Sequence, residues 1–193
     1  MTSKKEYIAM NSAEGTAMWA KVNTQVDEYE GKETGYTINV YFDDAYTKEL
    51  EKTFAKMIKE AQSGKDYLKK NGDPKEWRPV PRVPVKKDDD GNKYVVFKTR
   101  HIDSEGNRKY VKIFDKANKD LGTDITIGNG SKVVINFSPS IYYLTSENNG
   151  IKCYLNAIQV KDLKTFSGGD SGESYGFDKV LDETPSDEEE APF

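Results

Sequence analysis

Segments in which apolar and polar residues alternate, joined by turn signals, predict that most of the chain folds into β-strands. One segment has a helical spacing of apolar residues instead, which predicts a single amphipathic helix inserted among the strands. The last part is polar, rich in glycine and acidic, which predicts disorder. These observations favour an OB-fold-like, partly open barrel of five to six strands with a disordered acidic tail; a sandwich with a docked helix is the alternative.

The first two strands are predicted in TAMWAKVNTQV and GYTINVYFD. Period-two alternation gives each strand one face toward the core and one toward water or a ligand. In the first strand, Ala20, Val22, Thr24 and Val26 alternate with Trp19, Lys21, Asn23 and Gln25. In the second, the core set is Tyr36, Ile38, Val40 and Phe42, and the opposite set is Thr37, Asn39 and Tyr41.

The helix is predicted in DDAYTKELEKTFAKMIKEAQSG, where the apolar residues fall on one stripe: Leu50, Phe54, Met57, Ile58 and Ala61. Asp43 or Asp44 can cap its start, and the pair Ser63-Gly64 supplies its end. The opposite surface carries lysines interspersed with glutamates, so we expect the helix to dock on the barrel through its apolar stripe.

The stretch NGDPKEWRPVPRVPVKK is expected to run extended, along a sheet edge, because its prolines remove backbone donors. The run DDDGN is interpreted as a polar hairpin turn rather than a calcium loop, since the glutamate that such a loop needs is missing. Two hairpins follow: KYVVFKTRHI with RKYVKIF, and SKVVINFSPSIYYL with GIKCYLNAIQVKDL.

Charge is distributed unevenly along the chain. The net charge is −4, but the segment from residue 166 onward carries −8, so the residues before it carry +4. We therefore divide the chain into a flexible N-terminus (1–14), a basic OB-fold domain (15–165) and a disordered acidic tail (166–193). Such asymmetry suggests nucleic-acid contact combined with an interaction tail.

The sequence gives little support to catalysis. His101 is the only histidine and Cys153 the only cysteine, which excludes zinc clusters and Cys–His dyads, and no Walker-type phosphate loop is present. We predict no enzyme, no cofactor and no metal. The start of the chain has no apolar core of signal-peptide length, and no segment is long and apolar enough to span a membrane, which indicates a cytoplasmic protein without a membrane partner.

Aromatic and basic residues are interleaved on the strand faces opposite the core and in the proline-rich segment. This combination is typical of surfaces that bind single-stranded DNA, because cations neutralise the phosphates and aromatic rings stack on unpaired bases of any sequence. The predicted stacking residues are Trp19, Tyr41, Trp77, Tyr94 and Tyr110. The predicted phosphate contacts are Lys21, Arg78, Arg82, Lys98, Arg100 and Lys112. Each of these rings taken alone could equally have a structural role; Trp77, for example, could close one end of the barrel. Tyr142 and Tyr143 are consecutive, so only one of them can face inward, and the sequence leaves open which one does.

The end of the chain, LDETPSDEEEAPF, places an aromatic residue after a run of acids. An acidic tail can occupy a basic groove when DNA is absent, in competition with DNA and screened by salt. Once displaced, the tail is available to protein partners, for which the predicted contacts are Asp187, Glu188, Glu189, Glu190 and Phe193. The alternative, a tail that only aids solubility, does not account for Phe193.

The final DEEEAPF, the stretch YVVFKTRHIDSEGNRKYVKIFD and the pair NGSKVVINFSPSIYYL and GIKCYLNAIQVKDL resemble phage-encoded single-stranded-DNA-binding proteins of the replication type. The resemblance covers most of residues 15–193 and includes the helix between Tyr46 and Ser63. It implies one OB-fold per chain and a protein that coats single strands during DNA replication, recombination and repair in an infected bacterial host. It also implies that the tail contacts the replicative DNA polymerase and the helicase–primase.

The prediction is therefore a non-enzymatic, sequence-tolerant single-stranded-DNA-binding protein. The alternatives are a β-domain adaptor or scaffold with a solubilising tail, and an acidic DNA mimic, which the basic body disfavours. Monomer and homodimer stay open, as does RNA binding, because stacking residues do not test for a 2′-hydroxyl.

Overall fold

The computed structural model describes residues 8–69 and 72–165, so most of the N-terminal segment and the whole predicted tail lie outside the described residues. The described part contains nine strands, one α-helix and a 3₁₀ turn at Lys65–Tyr67. The strands are β1 (Met10–Asn11), β2 (Gly15–Lys21), β3 (Asp27–Tyr29), β4 (Lys32–Tyr41), β5 (Val85–Lys87), β6 (Lys93–Thr99), β7 (Lys112–Phe114), β8 (Lys132–Thr145) and β9 (Asn148–Asp162). The helix, α1, is Asp44–Ser63 and lies between β4 and β5 in the chain.

Five strands close into a barrel. β2 pairs with β4, β4 with β6, β8 with β9 and β8 with β2, all antiparallel, whereas β6 and β9 pair in parallel. This closure has the Greek-key connectivity of an OB-fold. The predicted fold class is confirmed, and the alternative of a sandwich is wrong because β9 joins β8 to β6 and completes the ring. β1, which lies in the segment assigned to the N-terminus, pairs with β8 at the outer edge.

The core fills the inside of this barrel. On β4, Thr37 is buried although the opposite face was predicted for it, and the predicted core residues Tyr36, Ile38 and Val40 are fully buried. Phe97 of β6 and Phe137 of β8 face them, and their rings meet edge to face with centroids 5.0 Å apart. The side chains at odd positions of β6 are thus committed to the interior, which leaves the intervening ones on the outer surface.

Helix α1 begins and ends where the sequence predicts. The Asp43 carboxylate accepts a hydrogen bond from the backbone N–H of Tyr46 at 2.7 Å, and the helix ends at Ser63, before Gly64. Leu50, Phe54 and Ile58 are buried as predicted. None of the helices in the described ranges is long and apolar enough to cross a membrane.

The proline-rich segment runs extended, as predicted, and its backbone pairs with the start of β9. The backbone N–H of Arg82 donates to the carbonyl of Asn149 at 3.1 Å, and the Arg82 carbonyl accepts from Ile151 at 2.8 Å. β5, at the end of the proline-rich segment, then pairs with the first half of β6, whereas β9 pairs with the second half of β6. Gly150 makes the approach feasible, because its φ is +151° and a Cβ there would clash with the Arg82 backbone. The DDDGN run forms the turn between β5 and β6, with a hydrogen bond from the Asp88 N–H to the Asn92 carbonyl.

The hairpin predicted for β8 and β9 is confirmed, but the pairing predicted for KYVVFKTRHI with RKYVKIF is wrong. The two segments meet only at the bridge between Ile102 and Arg108, and β7 pairs in parallel with β9. The reason is that both edges of β6 are already used, one by β4 and the other by β5 and β9.

The first predicted strand is shorter than expected. The register between β2 and β4 shifts between Met18 and Lys21, and Trp19 has a φ of +48°, which together define a bulge. After β2 the alternation fails: Asn23, expected on the outer face, is buried. Its amide exchanges two 2.8 Å hydrogen bonds with the backbone of Val111, so it takes the place of a strand residue.

Candidate nucleic-acid interface

A groove of about 500 Å³ runs between the proline-rich segment and the outer surface of β6, β8 and β9. Its lining comprises Thr34, Arg82, Val83, Pro84, Lys86, Val96, Lys98, Thr99, Arg100, Tyr142, Ile151, Lys152, Cys153 and Tyr154. Five of these residues are basic, two are tyrosines, and none of the described lining residues is acidic. We call this feature the basic groove. Its composition suits a chain of phosphates with flat, unpaired bases.

The strand alternation explains how the cations reach the groove. Phe97 and Cys153 face the core, so the neighbouring Lys98 and Tyr154 point outward, and these two are paired in the parallel register of β6 and β9. Lys152 lies two positions before Tyr154, on the same face of β9. The basic groove is therefore built mainly on regular strands, whose side-chain directions the barrel determines.

The consecutive tyrosines of β8 face opposite ways. Tyr142 lines the groove, and the Lys152 ammonium lies 4.5 Å from the centre of its ring, a cation–π contact. Tyr143 points the other way, where its hydroxyl donates to the carbonyl of Glu76 at 2.7 Å. The sequence left open which way each of these two tyrosines faces, and in the structure Tyr142 is the one at the groove.

Three rings form a second feature, which we call the aromatic trio: Trp19, Tyr41 and Tyr94. Tyr94 is central, 6.5 Å from Trp19 and 5.4 Å from Tyr41 between ring centroids. The bulge in β2 turns Trp19 outward, where about half of it is exposed. Tyr94 and Val96 alternate outward on β6 with Lys98, so the trio continues along the same strand face into the basic groove.

Tyr41 is held at the edge of the trio. Its hydroxyl donates to the Asp88 carboxylate at 3.0 Å. Burial and this carboxylate raise the pKa of Tyr41 to about 12, because both disfavour the phenolate. The ring is thus fixed and neutral beside Tyr94.

Two predicted phosphate contacts share one acid. Lys21 and Lys98 lie on either side of Thr37 in the register of β2, β4 and β6. The Asp27 carboxylate bridges them, 2.8 Å from the Lys21 ammonium and 3.3 Å from that of Lys98. Partial burial acts to raise the pKa of Asp27, but the hydrogen bonds from both lysines outweigh it and the pKa lies below its ordinary value.

The structure separates Trp77 and Arg78 from the basic groove. Trp77 packs against the core between Tyr67 and Tyr143, at centroid distances of 5.5 and 5.4 Å, and its indole N–H is buried without a hydrogen-bond partner among the described residues. Arg78 donates to the carbonyl of Glu147 at 3.3 Å, beside the turn of the β8–β9 hairpin. A DNA-binding role for these two residues stays a prediction from sequence alone.

Tyr110 and Lys112 are also apart from the groove lining, because β7 does not pair with β6 as expected. The Arg108 guanidinium lies 5.7 Å from the centre of the half-exposed Tyr110 ring. Lys112 forms an ion pair with Asp120 at 3.0 Å. Of the eleven predicted contacts in the body, the structure brings together Arg82, Lys98 and Arg100 in the groove, and Trp19, Lys21, Tyr41 and Tyr94 beside it.

Four basic or aromatic residues of the groove were not among the predicted contacts: Lys86, Tyr142, Lys152 and Tyr154. A signal for two of them was available, because Lys152 and Tyr154 alternate with buried residues in GIKCYLN just as the predicted contacts do on β6. The predicted tail contacts Asp187, Glu188, Glu189, Glu190 and Phe193 lie outside the described residues. Among the residues that the structure describes, no group of three or more acidic, histidine or cysteine side chains could hold a metal.

Comparison with solved structures relates this geometry to known proteins. Gp2.5, a single-stranded DNA binding protein encoded by bacteriophage T7, superposes with a TM-score of 0.66 at 19% identity, over 93% of this chain and 98% of its own. The single-stranded DNA-binding protein from bacteriophage Enc34 gives a TM-score of 0.56 at 14% identity, over 86% and 89% of the two chains. The same protein in complex with single-stranded DNA gives 0.57 at 13% identity, over 81% and 88%. No family model and no curated protein sequence matches the chain.

The chain thus has the fold of phage single-stranded-DNA-binding proteins, the class that its sequence resembles.

Proposed function

We propose that this protein binds single-stranded DNA without sequence preference and without catalysis, through the basic groove and the aromatic trio. The observation that carries the proposal is the basic groove itself, where five cations and two tyrosines meet with no acid among the described lining residues. The likeness in fold to proteins of the two phages, one of them solved with single-stranded DNA, supports the same reading.

The chemistry divides between the two features. Arg82, Lys86 and Lys152 neutralise phosphates along the groove, which releases counterions from the strand. The rings of Trp19 and Tyr94 offer π-faces to unpaired bases, and every base can use them. A duplex hides its base faces, so the trio contributes only to binding of single strands.

Fluorescence anisotropy with a labelled oligo-dT and with a duplex of equal length, at low and moderate salt, tests the proposal. We expect oligo-dT to bind more tightly, and Tyr94→Ala to weaken it by about 1–3 kcal/mol. Tyr29→Ala is the matched control, because Tyr29 is an exposed tyrosine that does not line the groove. A preference for the duplex would refute the proposal, and binding of neither DNA would favour the adaptor function.

The tail completes the proposal. We propose that its acids compete with DNA for the basic groove and that Asp187, Glu188, Glu189, Glu190 and Phe193 then contact partners. The segment from residue 166 carries −8, opposite in sign to the groove. By its resemblance, the protein serves DNA replication, recombination and repair, and the partners are the replicative DNA polymerase and the helicase–primase. Deletion of residues 182–193 should tighten DNA binding and abolish recruitment; weaker DNA binding would refute the competition.

A further inference from the structure

We propose that Asp27 occupies the position of a DNA phosphate between Lys21 and Lys98, and so lowers the affinity of the folded domain for single-stranded DNA. This inference rests on the function proposed above. It concerns an autoinhibitory contact within the described body of the protein, separate from the predicted tail.

The geometry of the bridge is that of a phosphate contact. One carboxylate oxygen of Asp27 lies 2.8 Å from the Lys21 ammonium and the other lies 3.3 Å from that of Lys98. Two ammonium groups from different strands thus converge on one anionic group that has two oxygens. A backbone phosphate presents the same charge and the same pair of oxygen acceptors.

The fold holds Asp27 in this place. Asp27 begins β3, where it pairs with Gly35 across the β3–β4 hairpin. Gly35 has a φ of +122°, and a Cβ there would clash with the carbonyl of Thr99, so only glycine lets the hairpin fold back against the end of β6. Thr34, which lines the basic groove, donates its hydroxyl to the Asp27 carbonyl at 3.0 Å.

The consequence for binding follows from this competition. Lys98 lines the basic groove and Lys21 lies on the far side of Thr37, toward the aromatic trio. While Asp27 neutralises both, the DNA must break two ion pairs to use these cations, or must pass without them. In the part of the chain that the structure describes, Asp27 forms ion pairs with Lys21 and Lys98 but not with the other groove cations, so the effect is confined to one end of the groove.

Asp27→Asn tests the proposal in the full chain, with oligo-dT anisotropy as the readout. We expect binding to tighten by about threefold to tenfold at low salt, the range that the release of two partly exposed ion pairs corresponds to. Glu60→Gln is the matched control, because it also removes one negative charge and one surface ion pair, with Lys56 on α1. The effect of Asp27→Asn should shrink when Lys21 and Lys98 are both changed to Gln.

A second measurement uses the unaltered protein. NMR titration of the Asp27 carboxyl carbon should show its pKa rising toward the ordinary value when oligo-dT is added, because phosphate replaces the carboxylate at the lysines. The inference would be overturned if Asp27→Asn bound oligo-dT no more tightly than Glu60→Gln does. It would also be overturned if oligo-dT left the pKa of Asp27 unchanged. If the unaltered protein fails to bind oligo-dT at all, the proposed function itself fails.

Discussion

The dependence of DNA binding on salt can be worked out from the basic groove. Five cations line it, so contact with five phosphates gives a slope of log K against log salt of about −3.5, at about 0.7 per phosphate of a single strand. Affinity should then fall about 130-fold between about 50 and about 200 mM salt. Changing Arg100 and Lys152 together to Gln leaves three contacts, a slope of about −2.1 and a fall of about 18-fold over the same range.

The assay is anisotropy of a labelled oligo-dT at four or more salt concentrations between these limits. The control is the double change of Lys52 and Lys56 to Gln, which removes the same charge from the exposed surface of α1. We expect the control to retain the slope of the unaltered protein. If both double variants flatten the slope equally, the long-range field of the protein and not the groove explains the binding, and the site assignment is refuted.

Three further outcomes follow from the fold. Phe54→Ala should lower the free energy of unfolding in urea by about 3–5 kcal/mol, because the fully buried ring joins α1 to the barrel; an effect below about 1 kcal/mol would contradict this docking. Gly150→Ala should weaken both stability and DNA binding, since its Cβ would push the Arg82 backbone away from β9; unchanged denaturation midpoints would contradict this. Tyr41 should titrate near pH 12 in ultraviolet difference spectra. Because its folded pKa is raised, its contribution to stability is complete below about pH 10 and is lost toward pH 12, and Tyr41→Phe should remove that loss.

Local patterns sufficed to predict the elements whose residues are close in sequence. Helix α1 was bounded correctly because Asp43 and Gly64 act on neighbouring backbone groups. The hairpin of β8 and β9 was recognised because the turn between two long alternating segments leaves little choice of partner. The core set of β4 followed from its period, since Tyr36, Ile38 and Val40 alternate with polar residues in the sequence and all three are fully buried.

Long-range pairing decided what the sequence could not predict. The position of Tyr110 was misplaced because pattern alone cannot show that both edges of β6 are already used. The bulge at Trp19 was invisible because positive φ at a tryptophan has no sequence signal. Arg82 reaches the groove because Gly150 admits the proline-rich segment beside β9, a contact between positions that are far apart in the chain. Lys86 is placed there by the pairing of β5 with β6.

The place of β9 in the barrel has a consequence for biosynthesis. This strand follows all the other strands described, yet it closes the ring on both sides and carries Lys152 and Tyr154. A growing chain on the ribosome therefore has no complete basic groove until residues 148–162 have left the exit tunnel. The proposed DNA-binding surface is thus completed only when nearly all of the described chain has been synthesised.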